Sequence, residues 1–183
     1  MEINDEIKAL LLRHARQAIA AYLAGGESPS ADQPWPELPH CGAFVTLRKF
    51  EQLRGCIGVF STNDDLPTTV AKMAVAAADD PRFTNRPLSV HELKDVRIEI
   101  SLLSALERIE DPLDFELGLH GIYVKQGYHV GCFLPDVATE RGWDKEMFLT
   151  QCCAQKAGLD GLGWREAETE VFVFTAAKIR EKA

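Results

Sequence analysis

One order of predicted elements, a β-hairpin followed by a helix and a strand, occurs twice in this sequence. In the first half the elements are hairpin strands at 43–49 and 52–60, a helix from Asp64 or Asp65 to about Ala78, and a strand at 96–103. In the second half they are hairpin strands at 121–125 and 128–134, a helical region from Pro135, and a strand at 169–175. The sequence therefore predicts an α+β fold in which duplicated hairpin-helix-strand units form a mainly antiparallel, barrel-like sheet flanked by helices.

This organisation places the whole chain, residues 1–183, in a single domain. Its predicted parts are an N-terminal helix at 1–26, a proline-rich connector at 27–39, a first repeat at 40–105 and a second repeat at 106–183. The four prolines of the connector cannot donate backbone hydrogen bonds, so we expect an extended surface segment there, anchored by Trp35.

Helix ends are marked by capping residues in both halves. Asn4 or Asp5 can cap the first helix, which ends at Gly25-Gly26, and Asp144 can cap a helix that ends at Gly158. Inside that last helix Cys152 and Cys153 are expected to pack as small apolar residues.

The turn of the first hairpin, around Phe50-Glu51, has unusual residues. Two-residue hairpin loops prefer glycine or asparagine, because both central residues commonly need a positive φ. Neither residue is present here, so we expect a loop of more than two residues.

Charge and cysteine usage exclude several classes of function. The chain has 20 Lys and Arg against 28 Asp and Glu, and no basic stripe, so we expect no nucleic-acid partner. No apolar run approaches the length of a membrane span, and charges interrupt the N-terminus, so we expect a cytoplasmic protein without a membrane segment. Five cysteines without C-x-x-C spacing favour reduced thiols, and we expect no metal site and no cofactor.

The second strand of the first hairpin contains the candidate site. Leu53-Arg54-Gly55-Cys56-Ile57-Gly58 holds two glycines, which weaken a strand unless another part of the chain approaches closely. Strict alternation puts Arg54, Cys56 and Gly58 on one face, so the thiol and the guanidinium are expected to point the same way. Gly131-Cys132 occupies the same place on the second hairpin.

Two interpretations of Cys56 stay open. In the functional one, Cys56 is a nucleophile, Arg54 stabilises its thiolate, and Glu99 or a histidine is the base. The histidines that the fold could supply are His40, His91, His120 and His129. In the structural one, Cys56 is a small buried residue and Arg54 belongs to an ion pair.

A second candidate segment follows the first-repeat helix. Asp80 and Arg82 flank Pro81, so Asp80 can accept backbone hydrogen bonds while Arg82 reaches a carboxylate such as Glu99, which would lock the loop. Alternatively, Arg82 and Arg54 hold an anionic ligand group beside Cys56.

Several motifs in this order resemble the AMMECR-domain family. They are L-R-G-C-I-G at 53–58, D-P-R-F at 80–83, I-E-I-S-L-L at 98–103, L-P-D-V-x5-W-x4-F-L at 134–149 and K-A-G-L at 156–159. The resemblance covers about residues 40–175. It implies a single α+β domain with an internal duplication and an association with a Memo-type protein and a radical S-adenosylmethionine protein.

The resemblance implies a site at Arg54, Gly55, Cys56 and Gly58, with neighbours at Asp80, Pro81, Arg82, Phe83 and Glu99. By their chemistry the candidate catalytic residues are Cys56, Arg54 and Glu99, and the candidate ligand-binding residues are Gly55, Gly58, Asp80, Arg82, Phe83 and His129, the last of which either reaches a ligand or faces water. Our first hypothesis is a cytoplasmic accessory protein that binds a small molecule or a partner through a cleft lined by Leu53–Gly58. The alternatives are a thiol-dependent enzyme with Cys56 as nucleophile, and a purely structural scaffold.

Overall fold

The computed structural model describes residues 3–26, 35–36, 38, 41–50 and 52–181, in two compact units. Unit 1 consists of Met1–Leu103 together with Ala177–Ala183, and unit 2 consists of Ser104–Ala176. Most of the predicted proline-rich connector and the candidate base His40 lie outside the described residues.

Helices and strands cover most of the described chain. In chain order the helices are α1 (Asp5–Leu23), α2 (Leu66–Ala78), α3 (Asp136–Arg141) and α4 (Lys145–Cys152), the last continued by a π-helical turn at Cys153–Ala157. The strands are β1 (Ala43–Lys49), β2 (Gln52–Val59), β3 (Val96–Leu103), β4 (Glu107–Ile109), β5 (His120–Gln126), β6 (His129–Phe133) and β7 (Glu170–Arg180). The predicted α+β class with mainly antiparallel strand pairing is confirmed.

Side-chain caps begin the helices of unit 1. The Asn4 side chain accepts a hydrogen bond from Ile7 N at 2.9 Å, and the Asp65 side chain accepts one from Thr68 N at 2.8 Å, as the sequence predicted. Trp35 packs edge-on against His14 of α1, with ring centroids 5.4 Å apart.

The sheet of unit 1 has β1 between β2 and β3, and β2 lies at its edge. Val45, Leu47 and Ile98 belong to the core cluster that also contains residues of α1 and α2. Because side chains alternate along a strand, Thr46 and its cross-strand partners project from the face opposite this core.

The first hairpin has a shorter loop than the sequence predicted. Lys49 pairs directly with Gln52, so only two residues separate the paired positions. The expectation of a longer loop was wrong because Phe50 adopts φ +53°, a left-handed conformation that bulky residues rarely take. The Phe50 side chain is 73% exposed.

Unit 2 pairs β5 with both β6 and β7, while β4 pairs with β7. The predicted Asp144 cap is confirmed by a 2.8 Å hydrogen bond from Met147 N, and Gly158 ends the helical region at φ +68°. Cys152 and Cys153 are fully buried beside Phe148, and burial raises the pKa of both thiols. Both therefore act in packing.

Gly55 and Gly131 are glycines for the same physical reason, each within its own unit: a side chain would collide with the backbone of a neighbouring helix. A Cβ on Gly55 would lie 1.9 Å from the carbonyl oxygen of Ala77 in α2, and one on Gly131 would lie 2.5 Å from the backbone nitrogen of Ala157. Each glycine lets a strand approach the backbone at the end of a helix. The common origin of the two units stays a prediction.

None of the helices in the described part of the chain combines the length and the apolarity that crossing a bilayer requires.

Gly55→Ala and Gly131→Ala are expected to lower the free energy of unfolding by about 3 kcal/mol or more, because the clash is with backbone that cannot rotate away. Urea unfolding checks this. Gly26→Ala, whose new Cβ would meet only Ala21 O at 3.4 Å, is the control and should behave like the wild type. An unfolding midpoint for Gly55→Ala equal to that of the control would contradict the packing explanation.

Candidate functional site

The D-P-R-F segment clamps the backbone of Cys56. Cys56 lies on β2, whose outer edge pairs with none of the described strands, so its N–H and C=O need other partners. Asp80 Oδ2 accepts from Cys56 N at 2.9 Å, and Arg82 Nη2 donates to Cys56 O at 2.9 Å. The two side chains thus replace the hydrogen bonds of a missing strand.

The clamp depends on a close ion pair. Arg82 Nε lies 3.0 and 3.2 Å from the two carboxylate oxygens of Asp80, and the Arg82 backbone N–H donates to Asp80 Oδ1 at 3.0 Å. Asp80 is only 3% exposed. The hydrogen bond from Arg82, with that from the Cys56 N–H, outweighs burial and lowers the pKa of Asp80 to about 2.

Arg54 is the extra residue of a β-bulge. Leu47 pairs with Gly55 but Arg48 pairs with Leu53, so Arg54 has no partner on β1. Strict alternation does not extend across a bulge, and the inference that Arg54 and Cys56 point the same way loses its basis.

The Arg54 guanidinium holds the loop that follows α2. Its Nη2 donates to Arg86 O at 3.0 Å and to Glu92 Oε2 at 3.3 Å, and the side chain is 8% exposed. Phe83 lies beneath the two motif arginines, with its ring centroid 5.9 Å from Arg54 and 5.8 Å from Arg82. Both arginines contact groups of this chain, and Arg82 pairs with Asp80 rather than with Glu99. The pKa of Arg82 is raised, chiefly by its hydrogen bond with Asp80 and further by the Cys56 side chain.

The Cys56 thiol belongs to a row of polar side chains on the face opposite the helices. Thr46 pairs with Cys56 on one side and with Glu99 on the other. Thr46 Oγ1 donates to Cys56 Sγ at 3.3 Å. Glu99 forms ion pairs with Arg180 and with Lys178, the latter at 3.5 Å. Cys56 is half-buried and Thr46 is buried.

None of the described histidines forms a hydrogen bond with Cys56, for which three of them were candidate bases. Neither His14 nor His91, the described histidines of unit 1, is hydrogen-bonded to Cys56. In unit 2, His120 Nδ1 accepts from Glu116 N at 3.0 Å, and His129 Nδ1 lies 3.1 Å from Ala157 O. His129 thus contacts the end of the helical region of its own unit.

The glycines of the motif are explained by packing within unit 1. The close contact of Gly55 is with α2, and a Cβ on Gly58 would lie 2.3 Å from the Phe44 ring. In the part of the chain that the structure describes, no group of three or more His, Cys, Asp or Glu is placed to hold a metal ion.

Sequence reasoning missed Thr46, Lys178 and Arg180. Thr46 is the single hydroxyl residue in the run A-F-V-T-L-R-K, which is a weak local signal. The positions of Lys178 and Arg180 beside Glu99 depend on contacts about 80 residues apart in the chain, which no spacing shows.

The fold and the site define an α+β protein in which two loop side chains hydrogen-bond to the backbone of an edge strand, at the residue that carries a half-buried thiol. The chain belongs to the AMMECR1 family, whose model matches residues 12–179. A protein from Aeropyrum pernix is 38% identical over 98% of this chain and 81% of its own length, and protein PF1979 from Pyrococcus furiosus is 39% identical over 98% and 90%.

The solved structures include a close neighbour of this fold. The crystal structure of uncharacterized protein PH0010 from Pyrococcus horikoshii matches with a TM-score of 0.89 and 37% identity, covering 100% of this chain and 95% of that one. These relatives carry names that state no activity.

Asp80→Asn is expected to lower the free energy of unfolding near neutral pH by about 2 kcal/mol, because an amide cannot replace the carboxylate in the clamp. The folded-state pKa is depressed, so this stabilisation is complete above the unfolded-state value of about 4 and is lost as pH falls towards about 2. Urea unfolding of wild type and variant over this range measures the difference.

The gap between wild type and Asp80→Asn should therefore narrow between about pH 4 and about pH 2. Glu140→Gln, which removes an exposed carboxylate, is the control and should track the wild type at every pH. A gap that stays constant down to the lowest pH would contradict the role of the Asp80 carboxylate.

Proposed function

We propose that this protein is an accessory binding protein, and that the strand face bearing Cys56, Thr46 and Glu99 contacts its ligand or partner. The observation that carries the proposal is the polar row itself, which stands on the face opposite the core and joins a thiol, a hydroxyl and an ion-paired carboxylate. Stability alone does not require polar side chains on this face, because burying apolar side chains costs less free energy than burying polar ones.

Ser101 supports the same proposal. It lies two residues along β3 from Glu99, on the same strand face, and is fully buried. Among the described residues its Oγ has no hydrogen-bond partner. Buried hydroxyls are nearly always satisfied by protein, water or ligand, so we expect an ordered water or a ligand group beside this Oγ.

A thiol-dependent enzyme with Cys56 as nucleophile is the weaker alternative. Such an enzyme needs a base within reach of the thiol and a cation that stabilises the thiolate. Glu99 is engaged by Lys178 and Arg180, and Arg54 by Glu92 and the loop backbone. Arg82 interacts with the Cys56 side chain, but its guanidinium is already paired with the buried carboxylate of Asp80. The hydrogen bond that Cys56 Sγ receives comes from a hydroxyl donor.

The proposed setting is cytoplasmic, which suits five free cysteines. The proposed partners are a Memo-type protein and a radical S-adenosylmethionine protein, as the family resemblance implies, with a small-molecule ligand as the further candidate occupant of the face.

Arg180→Glu is expected to weaken binding to such a purified partner at least tenfold, because it breaks the ion pair with Glu99 and reverses a charge on the proposed face. Isothermal titration calorimetry measures the affinity. Arg108→Glu is the matched control, since Arg108 is 57% exposed and ion-paired with Glu170, as Arg180 is 61% exposed and ion-paired with Glu99. Equal losses in both variants, or no binding by the wild type to either partner, would refute the proposed partner surface.

Alkylation of Cys56 separates binding from thiol catalysis. Peptide mapping by mass spectrometry follows the reaction of Cys56 with iodoacetamide as the pH is raised through the neutral range. A binding role predicts a rate that keeps rising with pH, and an activated nucleophile predicts a fast rate that is already constant below neutral pH. The second outcome would favour the enzyme.

A further inference from the structure

The strained turn of the first hairpin is not explained by packing. Phe50 adopts a left-handed backbone conformation that favours glycine or asparagine, yet its side chain is mostly exposed. A residue that breaks a local rule without gaining core contacts is a candidate functional position.

Phe50 lines a groove of about 530 Å³ in unit 1. The volume lies within the range of small-molecule sites. The other residues that line it and carry charge are Arg16, Lys94, Asp95, Arg97 and Glu181.

One wall of the groove is held rigidly by Arg16. Its Nη1 donates to Leu93 O at 2.8 Å and its Nη2 to Val96 O at 2.7 Å. Its Nε donates to Glu181 Oε1 at 2.8 Å, and Glu181 Oε2 accepts from Ile98 N at 2.8 Å. The charges of Arg16 and Glu181 are thus used within the wall, which is formed before any ligand arrives.

Among the described residues that line the groove, two cations, Lys94 and Arg97, face one carboxylate, Asp95, that is not already used within the wall. Asp95 lies 4.0 Å from the ammonium of Lys49, so its charge is partly offset. Lys94 and Arg97 are exposed, and among the described residues neither forms an ion pair or a hydrogen bond through its side chain. These cations are a local feature of the groove, whereas the chain as a whole has a net charge of -8.

We propose that this groove binds a small phosphate monoester that carries a flat ring, of the size of a nucleoside monophosphate. Lys94 and Arg97 contact the phosphate, for which a guanidinium fork is geometrically suited. Phe50 supplies an exposed aromatic face on which the ring stacks. Its left-handed backbone conformation is the cost of holding that face at the rim of the groove.

Calorimetric titrations of the full chain with adenosine 5′-monophosphate, adenosine and inorganic phosphate test the proposal. The monophosphate should bind at least tenfold more tightly than either fragment, because only it uses both the cations and the ring. Arg97→Gln should weaken binding of the monophosphate and of inorganic phosphate at least tenfold. Arg108→Gln, a change of the same kind in unit 2, should alter neither.

Phe50→Asn tests the ring contact without breaking the turn, since asparagine tolerates a positive φ. It should reduce the affinity for the monophosphate to that for inorganic phosphate, while the thermal midpoint does not fall. Equal affinities of the wild type for the monophosphate and inorganic phosphate would overturn the proposal, as would unchanged binding in Arg97→Gln. Phe50 lies in the hairpin turn, outside the row formed by Cys56, Thr46 and Glu99, so Phe50→Asn lets either proposal fail alone.

Discussion

The hydrogen bonds that Asp80 and Arg82 make to the backbone of Cys56 are the contact on which the rest of unit 1 depends. An edge strand exposes unpaired donors and acceptors, and here one buried carboxylate and one guanidinium satisfy both groups of a single residue. Burying the carboxylate costs free energy, which the hydrogen bonds from Arg82 and from two backbone N–H groups offset. The same contact joins the end of α2 to the edge of the sheet.

The contacts of Asp80 and Arg82 with Cys56 give a structural explanation for residues of the two most distinctive motifs, L-R-G-C-I-G at 53–58 and D-P-R-F at 80–83. Arg54, Asp80, Arg82 and Phe83 form one structural assembly that attaches the loop after α2 to β2. Gly55 in unit 1 and Gly131 in unit 2, which precede Cys56 and Cys132, each lie too close to a helix backbone for a side chain to fit. On the other face of the sheet, the Cys56 side chain has Thr46 as its neighbour, and Glu99 and Lys178 continue the row of polar side chains.

Two residues of unit 1 have unfavourable local backbone geometry: Arg54 forms a bulge, and Phe50 has a positive φ. They differ in the contacts that offset this geometry. Arg54 interrupts the strand as a bulge, but its guanidinium gains three polar or aromatic contacts and its side chain is buried. Phe50 strains the turn and gains little burial. The contacts of the Arg54 guanidinium offset the first conflict. The second is the kind of local conflict that functional positions show.

By itself the sequence determined the elements, because caps, glycines and apolar periodicity act over a few residues: Asn4, Asp65, Asp144 and Gly158 end or begin helices as predicted. It also identified the strand around Cys56 as a crowded place. Only the tertiary structure decided the Arg54 bulge, the partner of Arg82 and the contact of Thr46 with Cys56. The physical reason is that strand register and contacts between distant segments are set by packing across the whole unit, which no local pattern contains.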